Sequence, residues 1–350
     1  MNVKTGALHA NVRTIGFVAT KAHIHGAADT TTAAGIAGRT AGVFHEFTLT
    51  TDSTAEDDFW TLPADTAALT ADQVTRLLAG DFYMNAHTAS NATGLVRGQL
   101  HGAGVDVFRV SLDSDQEVPK PTGAGSTGLG FLTVDRQSGR LRGDVVAGGF
   151  TPTRGHIHGA AIGVAGPVLI EFLANATDAS RFSAPEAGLN GSRNAFLDST
   201  QLGALASGGL YLNMHSAANP TGEARGQIVP DALRLVRVPM DSAHEIPAPT
   251  GAAGSTGLAL FVVNPDNGRI QGFTRVSGFT ATLCHIHAGG AGATGPVVVE
   301  MAADATETGK FNLPDGVFLD QAALAAAGFY VNAHSAANTT GEIRGQLVLP

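Results

Sequence analysis

One cysteine, Cys284, stands in the 350 residues, so no intrachain disulfide can staple the fold. Charge is also sparse: 15% of residues are charged, lysine is scarce, and the formal net charge is −9. With no basic cluster, that balance argues against nucleic acid and against anionic membranes as partners. No stretch approaches about 18 continuous apolar residues, so no transmembrane segment is expected. The opening MNVKTGALHAN has no apolar core of a signal peptide, and an export signal would have to lie upstream of it. Phosphate-binding loops, dinucleotide fingerprints and the GxSxG elbow are missing from the sequence as well.

Glycine is plentiful, at 45 residues, and many short Val/Leu/Phe segments end at Gly or Asn. Few runs have a helical period. The composition points to an all-β chain, long enough for two or three domains with cores of their own.

The tripeptide His-Ile-His occurs at residues 23–25, 156–158 and 285–287, with spacings of 133 and 129 residues. Superimposing the three brings Gly16-Phe17, Gly149-Phe150 and Gly278-Phe279 into register, and likewise Gly6, Gly139 and Gly268 at hairpin turns. Downstream, the units reconverge on GDFYMNAHTASNATGLVRGQL, GGLYLNMHSAANPTGEARGQI and AGFYVNAHSAANTTGEIRGQL. In each, a histidine precedes an arginine by ten residues: His87 and Arg97, His215 and Arg225, His334 and Arg344. These are tandem repeats, with boundaries at 1–101, 102–230 and 231–350.

The second and third repeats open alike, with a Glu-apolar-Pro step (Glu117 to Pro119, Glu245 to Pro247), a Gly-rich turn and an alternating strand. The first repeat has no such opening and lacks roughly thirty residues relative to its siblings. Either a neighbouring repeat or chain covers the resulting open edge, giving a homo-oligomer or assembly through repeat one, or the chain is a fragment. Per unit, the pattern predicts about seven short strands and one short helix, the clearest being TADQVTRLLAG with Thr70 as N-cap and Gly80 as stop. That reads as three Greek-key-like β-sandwich repeats, the first without its N-terminal strands.

On a strand, residues i and i+2 share a face, so both imidazoles of each HIH project together. The same holds for Tyr211, Asn213 and His215 in YxNxH. If the two strands adjoin, three imidazoles converge per repeat: His23, His25 and His87; His156, His158 and His215; His285, His287 and His334. Imidazole suits copper and zinc, and three without a carboxylate disfavour calcium and magnesium. The rival reading is a histidine cluster that only ties loops to the sheet. For Arg97, Arg225 and Arg344 the structural role is a fork to loop carbonyls or a salt bridge to a glutamate two residues earlier, and the functional one is to guide an anion. Glu46, Glu171 and Glu300 read as solvated or edge-blocking residues. Cys284 reads as a buried structural thiol facing with Ile286.

The succession QEVP, Gly-rich strand, HIHGAA, GPV and LYLNMHSAANPTGEARGQI resembles the CHRD (chordin) domain, over all of repeats two and three and most of repeat one. That family is extracellular or periplasmic in type, and its fold is similar to the β-sandwich of Cu/Zn superoxide dismutase. The resemblance implies copper held by the nine histidines, zinc being the other candidate, with Arg97, Arg225 and Arg344 as the anion-guiding residues. The zinc-loop histidines and aspartate of the dismutases have no counterpart here. The expectation is therefore a secreted, periplasmic or surface metal-binding repeat protein with a structural or metal-holding role. A copper-only, dismutase-like redox enzyme and a metal-free adhesion module are the alternatives.

Overall fold

A computed structural model describes residues 1–26, 40–50, 57–123, 125–187 and 190–350. The chain is all-β, with three short helices. Its contacts resolve two compact units, and the division runs through repeat two. One comprises Met1–Arg109, Leu129–Val146 and Ile170–Ser199; the other comprises Val110–Gly128, Ala147–Leu169 and Thr200–Pro350.

In the second unit, repeat three closes into an eight-stranded barrel rather than leaving two separate sheets. The order around it is Arg234–Asp241, Thr256–Val263, Ile270–Ser277, Lys310–Asn312, Val297–Ala303, Ala281–Ala288, Phe329–Ser335 and Ile343–Leu347, which meets the first strand again. The return of Lys310–Asn312 beside Ile270–Ser277 makes the connection Greek-key-like. Alternation decides which side chains fill it: Val236, Val238, Met240, Phe261, Ile286 and Val331 all point into the core and are buried. Cys284 joins them, its thiol pushed up to about 12 by burial and 3.7 Å from the Met301 sulfur, as expected of a structural thiol. The same unit holds the inner strands of repeat two, where Pro152–Gly159 pairs with Leu210–Ser216 and the latter with Ala224–Gln227.

The first unit carries repeat one as two sheets. A four-stranded sheet runs Val43–Glu46, Lys21–His25, Phe82–His87, Val96–Leu100, and a three-stranded one runs Asn11–Ile15, Asp57–Thr61, Thr48–Leu49. The helix Ala71–Leu78 starts at Thr70 through a reciprocal cap with Gln73 and stops before Gly80, which takes φ 85°. Hairpin glycines are demanded by geometry. Gly268 sits at φ 75°, and a Cβ there would lie 2.0 Å from the Leu319 carbonyl oxygen; Gly6 and Gly139 meet Leu69 and Leu197 in the same way.

Candidate metal centre

In each repeat the HIH strand and the YxNxH strand are antiparallel neighbours. The ladder places His23 opposite Asn85 and His25 opposite Tyr83; His156 opposite Asn213 and His158 opposite Tyr211; His285 opposite Asn332 and His287 opposite Tyr330. Because opposed residues share a face, all three histidines of a repeat converge. In every triad three ligand atoms, one from each histidine, lie within 4.8 Å of one another. Isoleucine between the two histidines faces the other way and is buried at Ile24, Ile157 and Ile286.

Second-sphere contacts orient each ring identically. The second histidine of HIH donates its Nδ1 hydrogen to a loop carbonyl: His25 to Ala41, His158 to Gly166 (both 2.9 Å) and His287 to Gly295 at 3.0 Å. The third histidine does the same within its own turn, His87 to Ala92, His215 to Pro220 and His334 to Thr339. These bonds fix the proton on Nδ1 and leave Nε2 as a lone pair aimed at the centre. The first histidine presents Nδ1 to that centre, 3.0, 2.8 and 3.0 Å from Nε2 of His87, His215 and His334. One proton can bridge those two atoms. The third lone pair has nothing: Nε2 of His25, His158 and His287 is buried without a partner among the described residues.

Burial favours the neutral form at seven of these histidines. His156 and His215 are both lowered to about 4, first by desolvation and then by neighbouring histidines. His23, His25, His158, His285 and His334 are lowered as well, with desolvation again the largest cause. Neutral imidazole is the form that ligates a metal. Three inward nitrogen lone pairs, one of them without a hydrogen-bond partner in each triad, fit copper or zinc by donor type.

Beside the triad lies a feature that sequence reasoning did not single out. Tyr211 stacks on His158 with ring centroids 4.9 Å apart, and the Arg225 guanidinium covers the other face of Tyr211 at 3.5 Å. His287, Tyr330 and Arg344 repeat the sandwich, as do His25, Tyr83 and Arg97. Each tyrosine hydroxyl accepts a backbone N–H from the loop residue whose carbonyl holds the histidine: Gly166, Gly295 and Ala41. The Tyr in YxNxH was legible as a residue sharing the histidine face; its grip on the loop was not.

For Arg225 and Arg344 the geometry matches the structural alternative, a fork to loop carbonyls, rather than anion guidance. Arg225 is fully buried and donates to the carbonyls of Val164 and Ala161 at 2.8 Å and to Gln227 at 2.9 Å. Arg344, also buried, donates to Gly290. Both clamp the loop that follows HIH, and a guanidinium sealed from solvent under a tyrosine is in no position to collect anions. The nearby glutamates Glu223 and Glu342 bind elsewhere, Glu223 to Ser126, Ser216 and Asn219, and Glu342 to Ser255, Ser335 and Asn338. In repeat one Arg97 is exposed instead. The reading of Glu46 also changes: its side chain is mostly solvated, yet Oε1 lies 3.5 Å from His23 Nε2. It is placed to hold the proton of the first histidine on Nε2 and free Nδ1.

Fold and site together define a chain of three β-rich repeats, each carrying a buried histidine triad on one pair of adjacent strands. The family model described as "CHRD domain" matches residues 1–100, 108–228 and 236–347. The chain belongs to the CHRD domain family. No curated protein and no solved structure matches it.

Proposed function

We propose that this CHRD repeat protein works outside the cytoplasm and holds one copper ion in each of its three histidine triads, in a structural or metal-holding role in the envelope or extracellular matrix. The observation that carries the reading is the orphaned Nε2 of His25, His158 and His287, repeated at one position in all three sites. His23, His25 and His87 would hold the first ion, His156, His158 and His215 the second, and His285, His287 and His334 the third. A bound copper would supply a cation for three lone pairs and, where an open position remained, redox or Lewis-acid chemistry. Zinc fits the same donors.

Location outside the cytoplasm is supported by the family, whose domains occur in extracellular or secreted proteins, and no helix among the described residues is long and apolar enough to cross a membrane. Self-association through repeat one belongs to the same reading. Superoxide dismutation is the enzyme alternative, and the burial of Arg225 and Arg344 weighs against it.

Metal analysis of the purified chain, run beside a superoxide assay, tests the proposal. Three equivalents of copper per chain with no turnover is the expected result. A chain that takes up neither copper nor zinc would overturn it, and rapid turnover would move the assignment to the enzyme.

A further inference from the structure

The loop that follows HIH in repeat two is shaped by side chains that hold its backbone carbonyls. Gln227 Nε2 donates to Ala160, Arg225 to Ala161 and Val164, and the His158 ring to Gly166. Those donors belong to repeat two. The carbonyl of Gly163, in the middle of the same arc, is held from repeat three instead: Lys310 Nζ donates to it at 2.8 Å.

A buried ammonium is costly unless it is paired and hydrogen-bonded. Lys310 is 3% exposed and meets that need with the Asp304 carboxylate at 2.9 Å and the Gly163 carbonyl. Phe273 is the floor of the contact, its ring 5.4 Å from Lys310 Nζ. Gly163, at φ 82°, comes so close to that ring that a Cβ would lie 2.4 Å from Phe273 Cδ1, so glycine is required there. Beside it, buried Ile162 joins Leu260, Val262 and Phe273 in one apolar cluster. All of these residues lie within one compact unit. Gly166, whose carbonyl orients His158 and whose N–H bonds the Tyr211 hydroxyl, is three residues farther along.

We propose that repeat three helps to build the site of repeat two: Lys310 and Phe273 are positioning residues that set the loop, through Gly163 and Gly166, so that His158 Nε2 points at the centre. For the ion this rests on the metal reading above; for the ring it rests on the loop alone. A ring released from Gly166 can carry its proton on either nitrogen and then offers no fixed lone pair. Copper affinity in repeat two therefore depends on a side chain of the next repeat. The corresponding loop of repeat three, 290–294, is exposed and gives an internal control.

The experiment uses the full 350-residue chain and Lys310→Met, which frees Gly163 and leaves Asp304 its bonds from Asn312 and Thr306. Nitrogen NMR of the metal-free imidazoles reads the tautomer of each ring. His158 should carry its proton on Nδ1 in the parent and become a mixture in Lys310→Met, with His287 unchanged. Copper is then titrated against a chelator in a background of His25→Ala and His287→Ala, where repeat two alone keeps its triad. Affinity should fall about tenfold or more with Lys310→Met. In the background of His25→Ala and His158→Ala, which keeps the triad of repeat three, it should not change. Ile162→Ala releases the loop from its own side and should give the same two losses, which keeps the test open if Lys310→Met fails to fold. Arg237→Ala removes exposed ion pairs to Asp113 and Asp115 and should leave both readouts as they are. A His158 ring that is mixed in the parent, or fixed in both loop variants, would overturn the proposal. Equal loss of copper at repeat three, or the same changes with Arg237→Ala, would overturn it too. A chain that binds no copper at all removes the metal reading and leaves the tautomers to decide the contact.

Discussion

Substituting the repeated arginine by alanine should have very different consequences in the three repeats. Arg225 makes three hydrogen bonds between 2.8 and 2.9 Å, packs on Tyr211, and is wholly enclosed. Hydrogen bonds from a charged donor contribute about 1.5–3 kcal/mol each before desolvation is subtracted. A desolvated cation–π contact adds about 2 kcal/mol. Against this stands the cost of burying the guanidinium, several kcal/mol, which the alanine variant recovers. The balance is a net loss of about 3 kcal/mol for Arg225→Ala, since Val164 and Ala161 carbonyls and Gln227 would lose their donor inside the protein. Arg344→Ala should lose somewhat less, having fewer direct donors to the loop. Arg97→Ala, at an exposed site, should lose about 0–1 kcal/mol.

Three repeats in one chain need not melt together, so the comparison should be read locally. Hydrogen exchange across 159–167 reports the loop that Arg225 clamps, and the corresponding loop of repeat three reports Arg344. A loss of about 3 kcal/mol corresponds to a fall in the melting of the affected unit on the order of 10 °C. Arg225→Lys should recover little, because an ammonium cannot fork to two carbonyls while lying flat on a tyrosine. Equal losses for Arg97→Ala and Arg225→Ala, or a silent Arg225→Ala, would refute the clamp.

The remaining predictions concern the site and its pH dependence. His158→Ala should lower metal content from three ions to two per chain by native mass spectrometry, leaving repeats one and three loaded; Tyr211→Phe, which loses the hydroxyl bonded to Gly166, should weaken that ion about tenfold or more in a chelator titration. His156 and His215 have folded values of about 4 against 6.5 unfolded, so the unfolded state takes up protons first as pH falls. Their contribution to stability is complete above 6.5 and is lost down to about 4, and metal-free melting temperatures at pH 7, 5.5 and 4.5 should fall in that order. Glu117 has the opposite sign: burial pushes it up to about 7 from 4.5, so its contribution is present below 4.5 and is lost as pH rises through about 7. Glu117→Gln should flatten the decline in stability between pH 5 and 8.

How much of this was legible in the sequence depended on whether a feature was periodic. Strand alternation placed His156 and His158 on one face and Ile157 on the other, and repetition tied His215 to them although 56 residues intervene between His158 and His215. The helix at Thr70 was legible because caps are local. Barrel closure was not, since it depends on the single meeting of Ile343–Leu347 with Arg234–Asp241, which no local pattern announces. Of the two roles open to the arginine, a fork to loop carbonyls is the one that the geometry of Arg225 carries. All three arginines lie on a tyrosine, at 3.4–3.5 Å, and they differ in how far solvent reaches them, which the sequence does not announce. Arg225 and Arg344 lie opposite an aspartate of the opening hairpin and are buried, whereas Arg97 is exposed.

That contrast bears on the proposal that the triads are more than ties between loops and sheet. A structural histidine needs one hydrogen bond to a carbonyl, and His25, His158 and His287 already have it through Nδ1. If anchoring the loop were the whole purpose, the inward Nε2 could be any carbon, and a buried nitrogen without a partner carries a penalty of about 1–3 kcal/mol. Three repeats keep that unsatisfied atom, and each keeps a second lone pair pointing at it from the YxNxH strand. They keep it even in repeat one, where Arg97 is more exposed than its counterparts. A group that removes the penalty must accept electron density from all three nitrogens at once. A single proton satisfies two of them, and a copper or zinc ion satisfies three.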